Sequence, residues 1–228
     1  MGSMVHFSSN GNVGNGYLSI PSSGSGPGVI VIQEWWGLVD HIKDLTDRFA
    51  GAGFVALAPD LYDGETAKGP DEAGKLMMAL KIDEAENYLR GAVDYLIDRI
   101  EVKGDRVGTV GFCMGGQLSL YTACANTKIG ACVDFYGIHP NVKLDIKKLQ
   151  SPVLGFFAEK DKMVTPKVAR ALEHDLISAG KKVEISIFEG ADHAFFNDSR
   201  PEVYHVSHAN ECWERMLRFF KKYLQDAD

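Results

Sequence analysis

The feature that most constrains the fold of this chain is a series of short apolar runs separated by segments with helical spacing. The runs are nearly continuous, which is typical of strands that are buried on both faces of a parallel sheet. We therefore expect six buried strands. They correspond to residues 29–32, 54–58, 107–112, 129–135, 153–157 and 183–188.

Between these runs, apolar residues recur every three or four positions, which is the spacing of amphipathic helices. Strands that alternate with helices predict the α/β class, with a doubly wound, mostly parallel sheet and helices on both faces. The apolar helix positions are Ile42, Leu45, Phe49 and Ala52; Leu89, Ala92, Val93, Leu96 and Ile100; Val168, Leu172 and Leu176; and Trp213, Met216, Leu217, Phe220 and Leu224.

The N-terminal segment has a different pattern. Two Asn-Gly turn signals, at residues 10–11 and 15–16, precede the apolar-polar alternation of residues 17–20. This arrangement predicts an antiparallel hairpin at the edge of the sheet. Residues 1–3 precede a second methionine, and we interpret them as an artificial addition that lies outside the fold.

Length and composition narrow the function. A chain of 228 residues with 45% hydrophobic content predicts a single domain over residues 1–228. Its net charge is −7 without a cluster of basic residues, which argues against nucleic-acid and membrane partners. No apolar run approaches the ~18 residues of a membrane span, so we expect a soluble, cytoplasmic protein that is a monomer or a small homo-oligomer.

Residues 111–116 read Gly-Phe-Cys-Met-Gly-Gly and follow a predicted strand directly. This is the pattern of a nucleophile elbow with Cys113 in place of serine, in which glycines permit a sharp strand-to-helix turn. The helix N-terminus favours a thiolate at that position. The alternative is a buried structural cysteine beside a glycine-rich junction.

An acid and a histidine follow two later strands. Asp161 comes just after the run 153–157, and His193 comes after the run 183–188. The chain order nucleophile, acid, histidine is that of the α/β-hydrolase triad. Separately, each residue could instead be a helix cap or an ordinary loop residue, but the three together predict a catalytic triad.

With these motifs, the chain resembles the dienelactone hydrolases, also called carboxymethylenebutenolidases. The resemblance implies an α/β-hydrolase fold, and it matches Cys113, Asp161 and His193 to the family's triad. It also matches Glu34 to a carboxylate that hydrogen-bonds the resting thiol and helps to ionise it. The segments that carry the resemblance are residues 33–37, 58–62, 111–116, 159–161 and 192–195.

The residues around Glu34 lead to a similar expectation. Glu34 follows the first buried strand, and a buried carboxylate needs a partner. A salt bridge or a capping role would also satisfy it. The loop after this strand normally supplies the second oxyanion donor, so we assign the oxyanion hole to the backbone N–H groups of Trp35 and Met114.

The expected chemistry is hydrolysis of an ester or an enol-lactone through a Cys113 thioester, without a metal or an organic cofactor. The small-molecule substrate would contact aromatic residues near the strand ends, unless these belong to the core. The resemblance further implies two arginines that bind the substrate carboxylate. One is expected at position 197, which here is asparagine, and the other in residues 63–80, which contain no arginine. Lys75, Lys81 or Arg200 could substitute, but lysine lacks the fork geometry of arginine, so dienelactone itself is not the expected substrate. The candidate substrate-binding residues are Trp36, Tyr62, Tyr136, Phe195 and Asn197.

Two other functions are compatible with the sequence. Cys113 could be the reactive group of a thiol-based redox or electrophile sensor, although no CxxC motif supplies a resolving cysteine. The chain could also be a non-catalytic binding module on the same fold, although all members of the triad are present.

Overall fold

The computed structural model describes residues 1–225. Eight strands form one sheet in the order β1-β2-β4-β3-β5-β6-β7-β8. The strands are β1 Ser3–Ser9, β2 Asn12–Ser19, β3 Gly26–Ile32, β4 Val55–Pro59, β5 Val102–Phe112, β6 Ile129–Phe135, β7 Val153–Ala158 and β8 Val183–Phe188. The helices are α1 Asp40–Gly51, α2 Pro70–Ala79, α3 Ile82–Ile97, α4 Met114–Ala125, α5 Pro166–Ser178 and α6 Val206–Leu224.

The six predicted strands are β3 to β8, and they pair in parallel. Side chains alternate between the two faces of the sheet, so each face has its own apolar core. Helices α1 and α6 cover one face and contribute Phe49 and Phe220 to its core. Helices α3, α4 and α5 cover the other face with residues such as Leu96 and Leu118. This arrangement confirms the predicted α/β architecture with helices on both faces.

Strands β1 and β2 form the predicted antiparallel hairpin at the sheet edge. Its turn is Asn10-Gly11, and both residues have positive φ, as a two-residue hairpin turn requires. The second Asn-Gly pair is not a turn. Gly16 lies inside β2, where an added Cβ would be 2.9 Å from the carbonyl oxygen of Ala58, so the glycine permits a close approach of strands.

Two further features of the structure were not anticipated from the sequence. Ser3 pairs with Leu18 in the hairpin, and the Gly2 N–H donates to Asp47 Oδ1 over 2.8 Å, so these residues belong to the fold. Helix α2 gave no periodic signal because Ala73 is its one buried residue.

No helix within residues 1–225 is long and apolar enough to cross a membrane.

Candidate active site

Cys113 lies at the turn between β5 and α4, where the chain reverses sharply. Its backbone φ of +53° lies in a region that residues other than glycine rarely adopt. The neighbouring glycines make this turn possible. A Cβ on Gly111 would collide with the backbone of Gly115, and a Cβ on Gly115 would collide with the carbonyl oxygens of Ile32 and Gln33. The glycine pattern therefore has the steric cause that a nucleophile elbow requires.

The Cys113 thiol is buried and faces two backbone donors. Burial raises the pKa of this thiol well above its usual range, and the negative charge of Glu34 raises the pKa further. The N–H groups of Met114 and Trp35 oppose these effects because they stabilise the thiolate. Burial therefore favours the neutral thiol over the thiolate.

Asp161 and His193 form a close pair at the ends of β7 and β8. Asp161 Oδ2 lies 2.6 Å from His193 Nδ1, and its Oδ1 accepts the N–H groups of Met163 and Val164 over 2.7 and 2.9 Å. These bonds fix the carboxylate, which in turn orients the imidazole. His193 Nε2 is buried without a hydrogen-bond partner in residues 1–225, so this nitrogen is available to accept a proton.

Glu34 follows β3 and is almost completely buried. Burial raises its pKa, while the protonated forms of His41 and His193 and the Asn197 hydrogen bond would lower it. Asn197 Nδ2 donates to Glu34 Oε2 over 2.8 Å. The expected hydrogen bond from the thiol to Glu34 is absent within residues 1–225. Glu34 is hydrogen-bonded to Asn197, and the negative charge of Glu34 raises the pKa of the Cys113 thiol.

The candidate residues Glu34, Cys113 and His193 open onto a common cavity of about 330 Å³. Its volume is in the range of small-molecule sites. A larger cavity of about 540 Å³, between the β7–β8 edge and α6, contains none of these residues. The apolar walls of the smaller cavity are Trp35, Trp36, Met163, Ala194 and Val203. Its charged lining residues, in addition to Glu34, are Lys160, Lys162, Asp192 and Arg200.

The profile of the dienelactone hydrolase family matches residues 15–224, nearly the whole chain. The chain belongs to the dienelactone hydrolase family. The chain has the α/β-hydrolase fold and is a hydrolase of that family.

Curated relatives and a solved structure match this chain over their full length. Protein usf from Aquifex pyrophilus is 40% identical over 231 residues, covering 98% of this chain and 100% of its own. A protein from Aquifex aeolicus, provisionally named carboxymethylenebutenolidase, is 36% identical and covers 99% of this chain and 100% of its own. A solved structure from Klebsiella pneumoniae, provisionally described as a dienelactone hydrolase, has a TM-score of 0.85 at 29% identity, covering 97% and 100%.

Among the candidate substrate-binding residues, Trp36 lines the cavity, and the other four are corrected. Tyr62 is buried and donates its hydroxyl to Met114 Sδ over 3.1 Å. Tyr136 is buried behind His193, with ring centroids 4.9 Å apart, and Phe195 belongs to the core on one face of the sheet. Asn197 is buried against Glu34. All four follow strand ends, but their loops direct these side chains into the interior.

The sequence interpretation missed most of the cavity's charged residues. Lys160 and Lys162 flank Asp161, so the loop that positions the acid also brings two cations to the cavity. Their position beside the triad acid was a signal that could have identified them. Arg200 also reaches the cavity, where its Nη2 contacts Glu202 Oε1 over 2.8 Å. The absence of an arginine at position 197 therefore does not leave the dienelactone hydrolase cavity of this chain without cations.

In the part of the chain that the structure describes, no group of three or more His, Cys, Asp or Glu residues could hold a metal ion.

Proposed function

We propose that this protein hydrolyses esters or lactones through a thioester on Cys113, with His193 as base and Asp161 as its orienting acid. The observation that carries the proposal is the convergence of three groups on one cavity. Cys113, His193 and Glu34 all line the same 330 Å³ cavity, and His193 Nε2 has no hydrogen-bond partner in residues 1–225. That is the set of groups which acyl transfer by a cysteine needs.

The first step is ionisation of the thiol. The S–H bond breaks, its electron pair remains on sulfur, and the proton goes to Glu34 or His193. Glu34 suits this role because burial raises its pKa towards working pH, where a carboxylate is a stronger base. Transfer also relieves an electrostatic conflict, since the thiolate forms as Glu34 loses its negative charge.

The acylation step uses the backbone donors. The thiolate attacks the substrate carbonyl carbon, and the N–H groups of Trp35 and Met114 bind the oxyanion that forms. Collapse of the tetrahedral intermediate breaks the bond to the alkoxide or enolate, which takes a proton from the protonated base. The product of this step is a thioester at Cys113.

Hydrolysis of the thioester regenerates the enzyme. His193 Nε2 takes a proton from water as the oxygen attacks the thioester carbonyl. The thiolate then leaves with the electron pair of the broken C–S bond and takes the proton from His193, which restores the thiol and releases the carboxylic acid. Asp161 keeps the Nδ1 proton directed at itself, so Nε2 remains the basic nitrogen throughout. No step in this sequence requires a group that residues 1–225 do not supply.

The proposal is tested by a hydrolysis screen over aryl esters, enol-lactones and thioesters. Cys113→Ala is compared with Cys124→Ala, a matched control because Cys124 is also buried but lies within α4. We expect Cys113→Ala to abolish turnover and Cys124→Ala to retain it. A His193→Ala protein incubated with substrate should accumulate the acyl mass on Cys113. Full activity of Cys113→Ala would overturn the proposal, and so would inactivity of the unmodified protein on every substrate.

A further inference from the structure

A bend at the end of β6, residues 134–138, holds the backbone of Cys113 on both sides. The Cys113 N–H donates to the carbonyl oxygen of Phe135 over 3.0 Å, and the Ile138 N–H donates to the carbonyl oxygen of Cys113 over 3.1 Å. The two residues between these bonds are Tyr136 and Gly137. The β6 bend and the nucleophile elbow are therefore joined through their main chains.

The β6 bend also contacts the histidine of the proposed triad. The Tyr136 ring lies against the His193 imidazole, with ring centroids 4.9 Å apart. Tyr136 has a φ of +41°, and Cys113 has a φ of +53°. Residues other than glycine keep such conformations only where the surrounding structure over-determines them. The contacts that fix this bend consequently bear on the nucleophile and on the base together.

Three successive N–H groups of the β6 bend are hydrogen-bonded, and one of them is bonded to a side chain. The Tyr136 N–H donates to the carbonyl oxygen of Phe156 on β7 over 2.8 Å, and the Ile138 N–H reaches the elbow as described. Between them, the Gly137 N–H donates to Asp134 Oδ1 over 2.8 Å. Gly137 is buried, so loss of the Asp134 carboxyl would leave this donor without an acceptor.

The Asp134 carboxyl is enclosed between the β6 bend and the first turn of α4. Asp134 is 1% exposed, and a Cβ added to Gly116 or to Gly137 would lie 2.4 Å from its Oδ1. The two glycines therefore leave the space that the carboxyl occupies. Asp134 Oδ2 has no hydrogen-bond partner in residues 1–225. A buried carboxyl that is only partly satisfied calls for an explanation, because native proteins retain few of them.

We propose that Asp134 is a positioning residue that keeps the nucleophile and the base in place through the β6 bend. Its Oδ1 fixes the Gly137 N–H. This bond keeps the flanking backbone groups aligned on Cys113, and it keeps the Tyr136 ring behind His193. The role requires an acceptor oxygen and not a negative charge. The inference rests on the proposed function, because it assumes that Cys113 and His193 carry out the steps described above.

The test compares three substitutions at position 134, below the melting temperature of each folded variant. Asp134→Asn keeps an oxygen that accepts from Gly137, whereas Asp134→Ala removes it. Asp134→Leu also removes it and leaves a smaller void, so it replaces Asp134→Ala if that variant does not fold. We expect both apolar variants to lower kcat on an activated ester by about 10²-fold, since slight misplacement of reacting groups can cost that much. KM should change little because Asp134 does not line the cavity, and Asp134→Asn should keep both constants.

Amide hydrogen exchange provides a measurement that does not need turnover. Peptides covering residues 111–117 and 134–139 should exchange about tenfold faster in Asp134→Ala, because one lost hydrogen bond eases local opening by roughly that factor. Asp134→Asn should restore the protection. The control is Ser119→Ala, which removes a buried hydrogen bond to Thr109 of 3.0 Å within the body of α4. It should change neither kcat nor the exchange of these two peptides.

Three results would overturn the inference. A loss of kcat in Asp134→Asn as large as in Asp134→Ala would mean that the charge acts and not the acceptor oxygen. A lower melting temperature with unchanged kcat in folded Asp134→Ala would indicate a merely structural role. Unchanged exchange in Asp134→Ala would show that the carboxyl does not hold the bend. Because exchange is measured without substrate, failure of the hydrolysis proposal and failure of this one are read separately.

Discussion

The Asn197 side-chain amide donates to Glu34 over 2.8 Å from a position four residues beyond His193. In the family that the sequence resembles, this position was expected to hold an arginine for the substrate carboxylate. Here the residue is an asparagine that is buried against Glu34. We therefore expect Asn197→Asp, which puts a second carboxyl against Glu34, to lower kcat/KM by about tenfold or more, because like charges at this distance cannot both ionise. Steady-state kinetics measure this loss in kcat/KM, and Asn141→Asp, on an exposed loop, is the control. Unchanged kinetics in Asn197→Asp would contradict the assigned contact.

The triad should behave as one unit. Cys113→Ala and His193→Ala should each lower kcat by at least ~10³-fold, and the double variant should be little worse than either, because each loss already disables the same pathway. Multiplicative losses in the double variant would mean that the two residues act in separate steps. Single- and double-variant turnover on one activated ester decides between these outcomes.

The cations at the rim of the cavity should select for anionic substituents. Lys160→Gln combined with Lys162→Gln should lower kcat/KM for a carboxylated lactone by about threefold to tenfold and leave its neutral analogue unaffected. The effect is small because exposed charges are screened by solvent and salt. Lys167→Gln, which is exposed on α5 and lies outside the cavity, is the matched control. Equal losses on both substrates would show that the lysines contribute shape and not charge.

Turnover should persist after prolonged dialysis against a chelator, because the proposed steps use only protein side chains and backbone donors. The measurement is kcat before and after dialysis, with zinc added back to one portion. Loss of turnover that zinc restores would require a different mechanism.

Asp134 should make stability depend on pH. Burial raises its pKa to about 7, and its Oδ2 has no partner in residues 1–225. The folded state therefore prefers the protonated form, so stability is greatest below the unfolded pKa of about 4 and declines as pH rises towards 7. Asp134→Asn cannot ionise, and it should remove a few kcal/mol of this decline. Denaturant unfolding at pH 4.5 and 7.5 measures the free energy of unfolding of the unmodified protein and of Asp134→Asn. An equal change with pH in the two proteins would contradict a raised pKa at Asp134.

Much of the fold could be predicted because buried parallel strands have a local signature. The runs that became β3 to β7 are buried on both faces, so their composition alone identified them, whereas the edge strand β8 has polar Glu184 and Ser186 on one face. Helix α2 could not be found in this way, since its one buried side chain leaves no apolar stripe. The pair Asn15-Gly16 misled for a related reason. Gly16 is needed because β2 and β4 approach closely at this position, and the local sequence does not reveal that approach.

The candidate site could be predicted where a residue's place directly after a strand determines its location. Cys113, Asp161 and His193 follow strands that end at the same edge, so their order was enough to bring them together. Whether a residue after a strand faces the cavity or the core depends on the path of its loop. Trp36 and Tyr62 both follow strands, yet one lines the cavity and the other is buried against Met114.

The two backbone donors at the Cys113 thiol have a consequence for ligand binding. Under the proposed mechanism, the same two N–H groups that favour the Cys113 thiolate also bind the substrate oxyanion, so the sulfur and the substrate oxygen compete for Trp35 and Met114. Removing the sulfur vacates both donors, and a protein without it should hold the carboxylate product more tightly than the active enzyme does.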